Sequence, residues 1–196
     1  MRRVTFLAAA STAAQRGGRF AVDEGIEPDA TRGASFVGFH GGDASRHGPE
    51  RRCADTARAL GLESTPLPLL RAWDLGSWTG RTITDVAATE PEFFAAWRRD
   101  PGAAPHGGEA LADLLSRVAA WMEDPFPDGR VVAVADASVV RAAVVHALQP
   151  GCRAFWYLDV LPLSLTVLTH GRGEWRVRYV GAPLRTSAMF ADDDEA

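Results

Sequence analysis

The chain has 196 residues, of which 46% are hydrophobic and 23% charged, and a net charge of −4. That composition suits a globular domain with a sizeable core and excludes a disordered chain. It lacks the basic surplus that nucleic-acid binding requires, and no apolar run approaches the ~20 residues of a membrane span.

Met1–Ala14 (MRRVTFLAAASTAA) has the two arginines and small residues of a secretory leader, but its apolar stretch is short and runs into Gln15-Arg16. It is read as a buried strand, Val4–Ala8, followed by a loop. Residues 11–48 carry weak periodicity and read as loop with one helix near Glu27–Phe36. Pro49 and Glu50 open a helix, Arg51–Leu60, that Gly61 ends. Pro66–Leu70 is a strand candidate and Arg71–Arg81 a loop bearing Trp and Gly. Thr82–Thr89 and Pro91–Arg99 read as short helices broken at Glu90-Pro91. After a Pro/Gly loop, Asp100–Gly108, comes the clearest amphipathic helix, Glu109–Met122, with Leu111, Leu114, Leu115, Val118 and Trp121 on one face. Asp128-Gly129 is a turn, Arg130–Ala135 a buried strand and Ser138–Leu148 an apolar helix. Leu163–Thr169 and Glu174–Val180 alternate as strands joined by a hairpin, His170–Gly173. Ala191–Ala196 forms an acidic tail, expected to fray from about residue 190.

Strands separated by helices indicate an α/β protein: one domain over residues 1–196, a three-layer α/β/α sandwich with a mostly parallel central sheet. Two cysteines, Cys53 and Cys152, are too few for a disulfide framework or a zinc site, so a reduced, cytoplasmic protein without metal or cofactor is expected. All 21 basic residues are Arg, and Lys and Asn are absent. With so much Ala and Gly, this reads as the coding bias of a GC-rich bacterial genome.

Several segments in order resemble the histidine phosphatase superfamily, in its phosphoglycerate-mutase-like branch that includes the α-ribazole phosphatases. LLRAWDLGSWTGR (Leu69–Arg81) is similar to that family's L-R-E…D-F-G-x-W-E-G loop. PEFFAAWRRDPGAAPHGGEALADLLSRV (Pro91–Val118) resembles its P-E-x-F-x-x-W helix and P-x-G-G-E-S loop. Arg51–Leu60 resembles R-A-x-Q-T-A-x-A-L, Val131–Leu148 the V-x-H-G-G-V-I-R-A segment, and Phe155–Leu168 the late helix and strand.

The resemblance implies a reaction in which a neutral histidine attacks phosphorus, two arginines and a second histidine hold the phosphoryl oxygens, and a carboxylic acid protonates the leaving group. This chain departs from that pattern at nearly every position. The arginine, nucleophile and glycine of R-H-G fall at Ala8, Ala9 and Ala10, the acid at Ala72 and the second histidine at Asp136. Only the helix arginine survives, as Arg52, or as Arg51 with a one-residue slip. Methyl groups cannot do this chemistry, so no phosphatase or mutase activity by the family mechanism is expected. The change to Asp136, Ala137 and Ser138 points to natural divergence and not to deliberate inactivation.

Candidate ligand-binding residues are Ala9, Ser11, Thr12, Arg52, Trp73, His106, Asp136 and Ser138. Arg52 and Asp136 should face each other, as a ligand-orienting pair or a general base, or simply as a buried ion pair. Ala9 and its neighbours would widen the pocket for a neutral or aromatic ligand, with Trp73 as a wall, unless the site has collapsed. Ser11, Thr12 and Ser138 border the site as donors or as helix caps. His106, with Glu109, is the best acid–base candidate outside the core motif; a plain surface loop is the bland alternative. His40 and His47, with Asp43, lie in a loop without metal-ligand spacing, and Cys53 is expected to be buried and inert. Three functions stay open: a degenerate phosphatase binding a small molecule or partner protein through the altered pocket, a repurposed enzyme with Asp136 as its key carboxylate, and a surface-acting pseudoenzyme. A homodimer is compatible with each.

Overall fold

The computed structural model describes residues 1–34, 44–124 and 129–184. Its strands are β1 (Arg2–Ala8), β2 (Ala44–His47), β3 (Thr65–Pro66), β4 (Arg130–Ala135), β5 (Ser164–Gly171) and β6 (Glu174–Pro183). The helices are α1 (Ala13–Arg16), α2 (Arg51–Ala59), α3 (Ile83–Thr89), α4 (Pro91–Arg99), α5 (Leu111–Glu123) and α6 (Ala137–Leu148). The strands form one sheet in the order β3-β2-β4-β1-β5-β6. The pairs from β3 to β1 are parallel, and β5 and β6 are antiparallel additions.

Alternation along the central strands builds both faces. Val4, Phe6 and Ala8 of β1, with Ala133 and Ala135 of β4, point into a core closed by α5 and α6. Leu7 and Ala9, with Val132 and Val134, point the other way against Cys53 and Ala57 of α2. This is the expected layering, helices on both faces of a sheet buried on both sides. A third cluster, Phe20, Trp78, Val86 and Trp97, joins α3 and α4 to the loop that follows α1.

The differences from the sequence reading have local causes. The loop assigned to residues 11–48 contains α1 and β2. β2 is the polar tetrapeptide ASRH, which carries no apolar period, yet it runs between β3 and β4 in the parallel part of the sheet. Pro66–Leu70 is not a strand: only Thr65–Pro66 pairs, and Pro68, which has no N–H to offer, starts a 3-10 turn. Residues 27–34 form successive turns rather than a helix, with Ala30 N bonded to Glu27 O and Ala34 N to Thr31 O. Phe36, His40, Asp43, Asp128 and the tail Ala191–Ala196 lie outside the described residues. The β5–β6 turn is tighter than predicted. Arg172 and Gly173 both have positive φ, 56° and 82°, the backbone of a two-residue type I′ hairpin.

Candidate functional site

β1 and β4 run parallel, with Ala8 opposite Ala135, so their C-terminal ends deliver Ala8–Ala10 and Asp136 to one place. This is where ligands bind in open α/β sheets. Pro49 turns the chain out of β2 into α2, which sets Arg52 in its first turn.

Arg52 is buried, with 2% of its side chain exposed. Its Nη2 donates to Asp136 Oδ2 at 3.0 Å and its Nη1 to Val22 O at 3.1 Å, while Nε has no acceptor among the described residues. Asp136 is also the N-cap of α6: Oδ1 accepts from Ser138 N at 2.9 Å and from Ser138 Oγ at 2.5 Å. Ser138 therefore is not the cap, as its position at the helix start had suggested. Burial pushes the Asp136 carboxyl up, but the Arg52 charge and the Ser138 hydrogen bonds outweigh it, leaving the group below its ordinary range. Burial likewise works against the Arg52 cation, and Asp136 holds it charged.

Ala8, Ala9 and Ala10 are buried in backbone bonding. Ala9 N donates to Ala135 O at 2.9 Å, and Ala10 N to Thr56 Oγ1 at 2.9 Å. Thr12 is a buried N-cap, its hydroxyl accepting from Gln15 N while the Gln15 side chain accepts from Thr12 N. Ser11 offers its carbonyl to Glu27 N at 3.0 Å. Trp73 N donates to Ser138 Oγ at 3.2 Å, and its indole N–H donates to Glu109 O at 2.7 Å, with the ring stacked on Trp97 at 5.1 Å. The structure thus joins Arg52, Asp136, Ser138 and Trp73 in one network.

His106 and Glu109 do not form an acid–base pair. His106 is buried edge-on against Trp78, its Nδ1 accepting from Gly108 N at 3.0 Å, and burial lowers its pKa so that the ring is neutral at pH 7. Glu109 neither lies in α5 nor caps it. Its carboxylate is saturated by Arg117 Nε and Nη2 (2.9 and 2.8 Å) and by Arg71 Nη2 (2.9 Å). His47 is buried at the end of β2. Cys53 is buried as expected, and burial pushes its thiol far up.

Beside the network opens a cleft of ≈ 280 Å³, lined among others by Asp23, Glu50, Arg52, Ala72, Trp73 and Asp74. Of the predicted site residues it takes in Arg52 and Trp73. Ala9, Ser11, Thr12, His106, Asp136 and Ser138 do not line it. Sequence reasoning missed Glu50, whose Oε1 accepts from Ala72 N at 2.7 Å. An acid two residues before the one surviving arginine was the available signal. The loop that brings Asp74 to the cleft packs closely on main chain: a Cβ on Gly76 would lie 2.1 Å from His106 O, and one on Gly108 2.3 Å from Asp74 O. Among the described residues no group of His, Cys, Asp and Glu is disposed to hold a metal, and no helix is long and apolar enough to cross a membrane.

The sequence model of the histidine phosphatase superfamily (branch 1) matches residues 23–183, and the chain belongs to that family. A glucosyl-3-phosphoglycerate phosphatase of Mycobacterium tuberculosis is 38% identical over 115 residues, 50% of this chain and 51% of the relative. A bifunctional protein of the same organism is 29% identical over 142 residues, 67% of this chain but only 39% of the relative, so the chain spans well under two thirds of these proteins. Among solved structures, a mycobacterial glucosyl-3-phosphoglycerate phosphatase in complex with VO3 superposes with a TM-score of 0.75 at 25% identity, covering 93% of this chain and 100% of that one. The α-ribazole phosphatase of Shigella flexneri gives a TM-score of 0.75 at 16% identity, with 95% and 100% covered, and supports the fold alone.

Proposed function

We propose that this chain is a histidine phosphatase that has lost phosphoryl transfer and binds a small molecule without a phosphate group in the cleft beside Arg52. The observation that carries this reading is the closed Arg52–Asp136 pair. The surviving phosphate-type arginine is already neutralised by a carboxylate of the chain, and Ala8, Ala9 and Ala72 offer methyl groups where a second arginine, a nucleophile and an acid would be needed. The cleft adds to the argument. Arg71 is paired to Glu109, and Asp23, Glu50 and Asp74 place three carboxylates in the lining, so a phosphate ester meets net negative charge. Trp73, Val22 and Leu75 supply apolar surface for a neutral or cationic ligand.

The repurposed-enzyme reading has less support. Both oxygens of Asp136 accept hydrogen bonds and its pKa is lowered, which makes it a weak base at neutral pH. The test is a phosphate-release assay with p-nitrophenyl phosphate and sugar phosphates, run beside calorimetric titration with vanadate. The expected result is release at the buffer rate and no vanadate heat. Turnover above that rate, or a trapped phosphoenzyme, overturns the proposal.

A further inference from the structure

Outside the cleft, three arginines gather around the segment that joins α6 to β5. Arg98, near the end of α4, holds its guanidinium 4.1 Å over the Trp156 ring, and Arg141 of α6 lies 5.8 Å from the centre of the Phe155 ring. The two rings meet edge to face at 5.3 Å. Both belong to the 3-10 segment Cys152–Tyr157, which also carries the exposed Arg153 and ends in Tyr157, 79% exposed. Among the described residues none of the three guanidiniums has an ion-pair or hydrogen-bond partner, and Arg141 Nε is buried without an acceptor. The neighbouring acids do not serve them: Asp100 accepts from Gly102 N at 2.9 Å, and Asp159 pairs with none of the three.

An aromatic face holds a guanidinium in place without neutralising it, and leaves its forked edges open to a carboxylate. The patch thus presents fixed positive charge on a chain whose net charge is −4. The complementary feature of the sequence is its one run of four consecutive carboxylates, Asp192–Glu195. β6 ends beside the arginine-bearing segment. A Cβ on Gly181 would lie 3.7 Å from Asp159 O, and Pro183 and Leu184 line one depression with Leu161–Ser164. From Leu184 the chain to Asp192 spans up to ~27 Å when extended. A segment tethered that closely is present at millimolar effective concentration, which a free acidic partner does not match.

We infer that the surface formed by Arg98, Arg141 and Arg153 around Trp156 is the docking site of the acidic segment Asp192–Glu195 of the same chain. The contact is electrostatic. Each exposed pair is weak alone, so several act together and all loosen at high salt. The surface lies apart from the residues that line the cleft, and the inference is independent of what the cleft binds.

The experiment is limited proteolysis of the full chain at low salt with thermolysin, which cuts before Met189 or Phe190, read by intact mass. Two variants remove the two sides of the contact: Arg98→Gln/Arg141→Gln/Arg153→Gln, and Asp192→Asn/Asp193→Asn/Asp194→Asn/Glu195→Gln. Each should speed this cut several-fold, the two combined should be no faster than either, and high salt should bring the native chain to the same rate. Arg176→Gln, exposed on β6, should leave the rate unchanged. If the triple arginine variant does not fold, Arg98→Gln/Arg153→Gln, both at exposed positions, should still give a clear acceleration. Equal rates in the native chain and the variants, additive effects of the two sides, or an equal acceleration by Arg176→Gln overturns the inference. Protection that grows with protein concentration places the segment on a second copy and overturns the same-chain assignment.

Discussion

Replacing Arg52 by Met tests whether the ion pair, and not the surrounding packing, holds the site together. Met fills much of the space of the arginine stem but carries no charge and cannot donate to Asp136 or Val22. Arg52 is 2% and Asp136 12% exposed at the side chain, so little solvent screens the carboxylate left behind. Removing one partner of a buried pair costs ~3–5 kcal/mol. The lower end applies here, because Asp136 keeps both hydrogen bonds from Ser138. For a domain of this size a loss of ~3 kcal/mol lowers the melting temperature by roughly 6–12 °C. Urea unfolding followed by tryptophan fluorescence should show the midpoint falling at constant slope. The double variant Arg52→Met/Asp136→Asn removes both charges and keeps an N-cap side chain, so it should recover part of the loss. A cost below ~1 kcal/mol for the single variant, or no recovery in the double, refutes the reasoning.

Three further outcomes are expected. Asp136 is depressed below 3.8 in the folded chain, so the stability it contributes is present above about pH 4 and is lost as pH falls through its folded value; the urea midpoint should drop there, and the Arg52→Met/Asp136→Asn variant should not share that drop. His106 is depressed below 6.5 by burial, so its contribution is complete above that value and erodes below it; His106→Gln should flatten the midpoint between pH 7 and 5, and an unchanged slope counts against the assignment. Iodoacetamide at pH 8 should label the partly exposed Cys152 in the native protein and reach the buried Cys53 only after unfolding, as mass spectrometry of the two peptides will report.

Much of the architecture was legible because its signals are periodic. The apolar runs of β1 and β4, the helical spacing of α2 and α5, and the alternation of β5 and β6 each name their element. β2 was illegible because ASRH takes its place from neighbours and not from its own pattern. The Arg52–Asp136 pair joins residues 84 apart, and only the family resemblance brought them together. Glu50 and His106 show the limit from opposite sides. Glu50 looked like a helix-starting acid and lines the cleft, whereas His106 looked like a substrate-side base and is buried under Trp78. Whether a polar side chain faces the cleft depends on the path of the loop that carries it, which no local spacing encodes.

The contact of Gly76 and Gly108 with facing backbone bears on how this scaffold acquires new preferences. Where side chains space two loops apart, lengthening or shortening one of them retunes the opening between. Here the loops meet main chain to main chain at Gly76 and Gly108, and the Trp73 indole donates to Glu109 O across them, so Trp73 is presented as a fixed template. Variation in what the cleft accepts is therefore channelled to the other stretch that lines it, Ala21–Asp23, and to Glu50, where substitutions alter shape and charge without disturbing that junction.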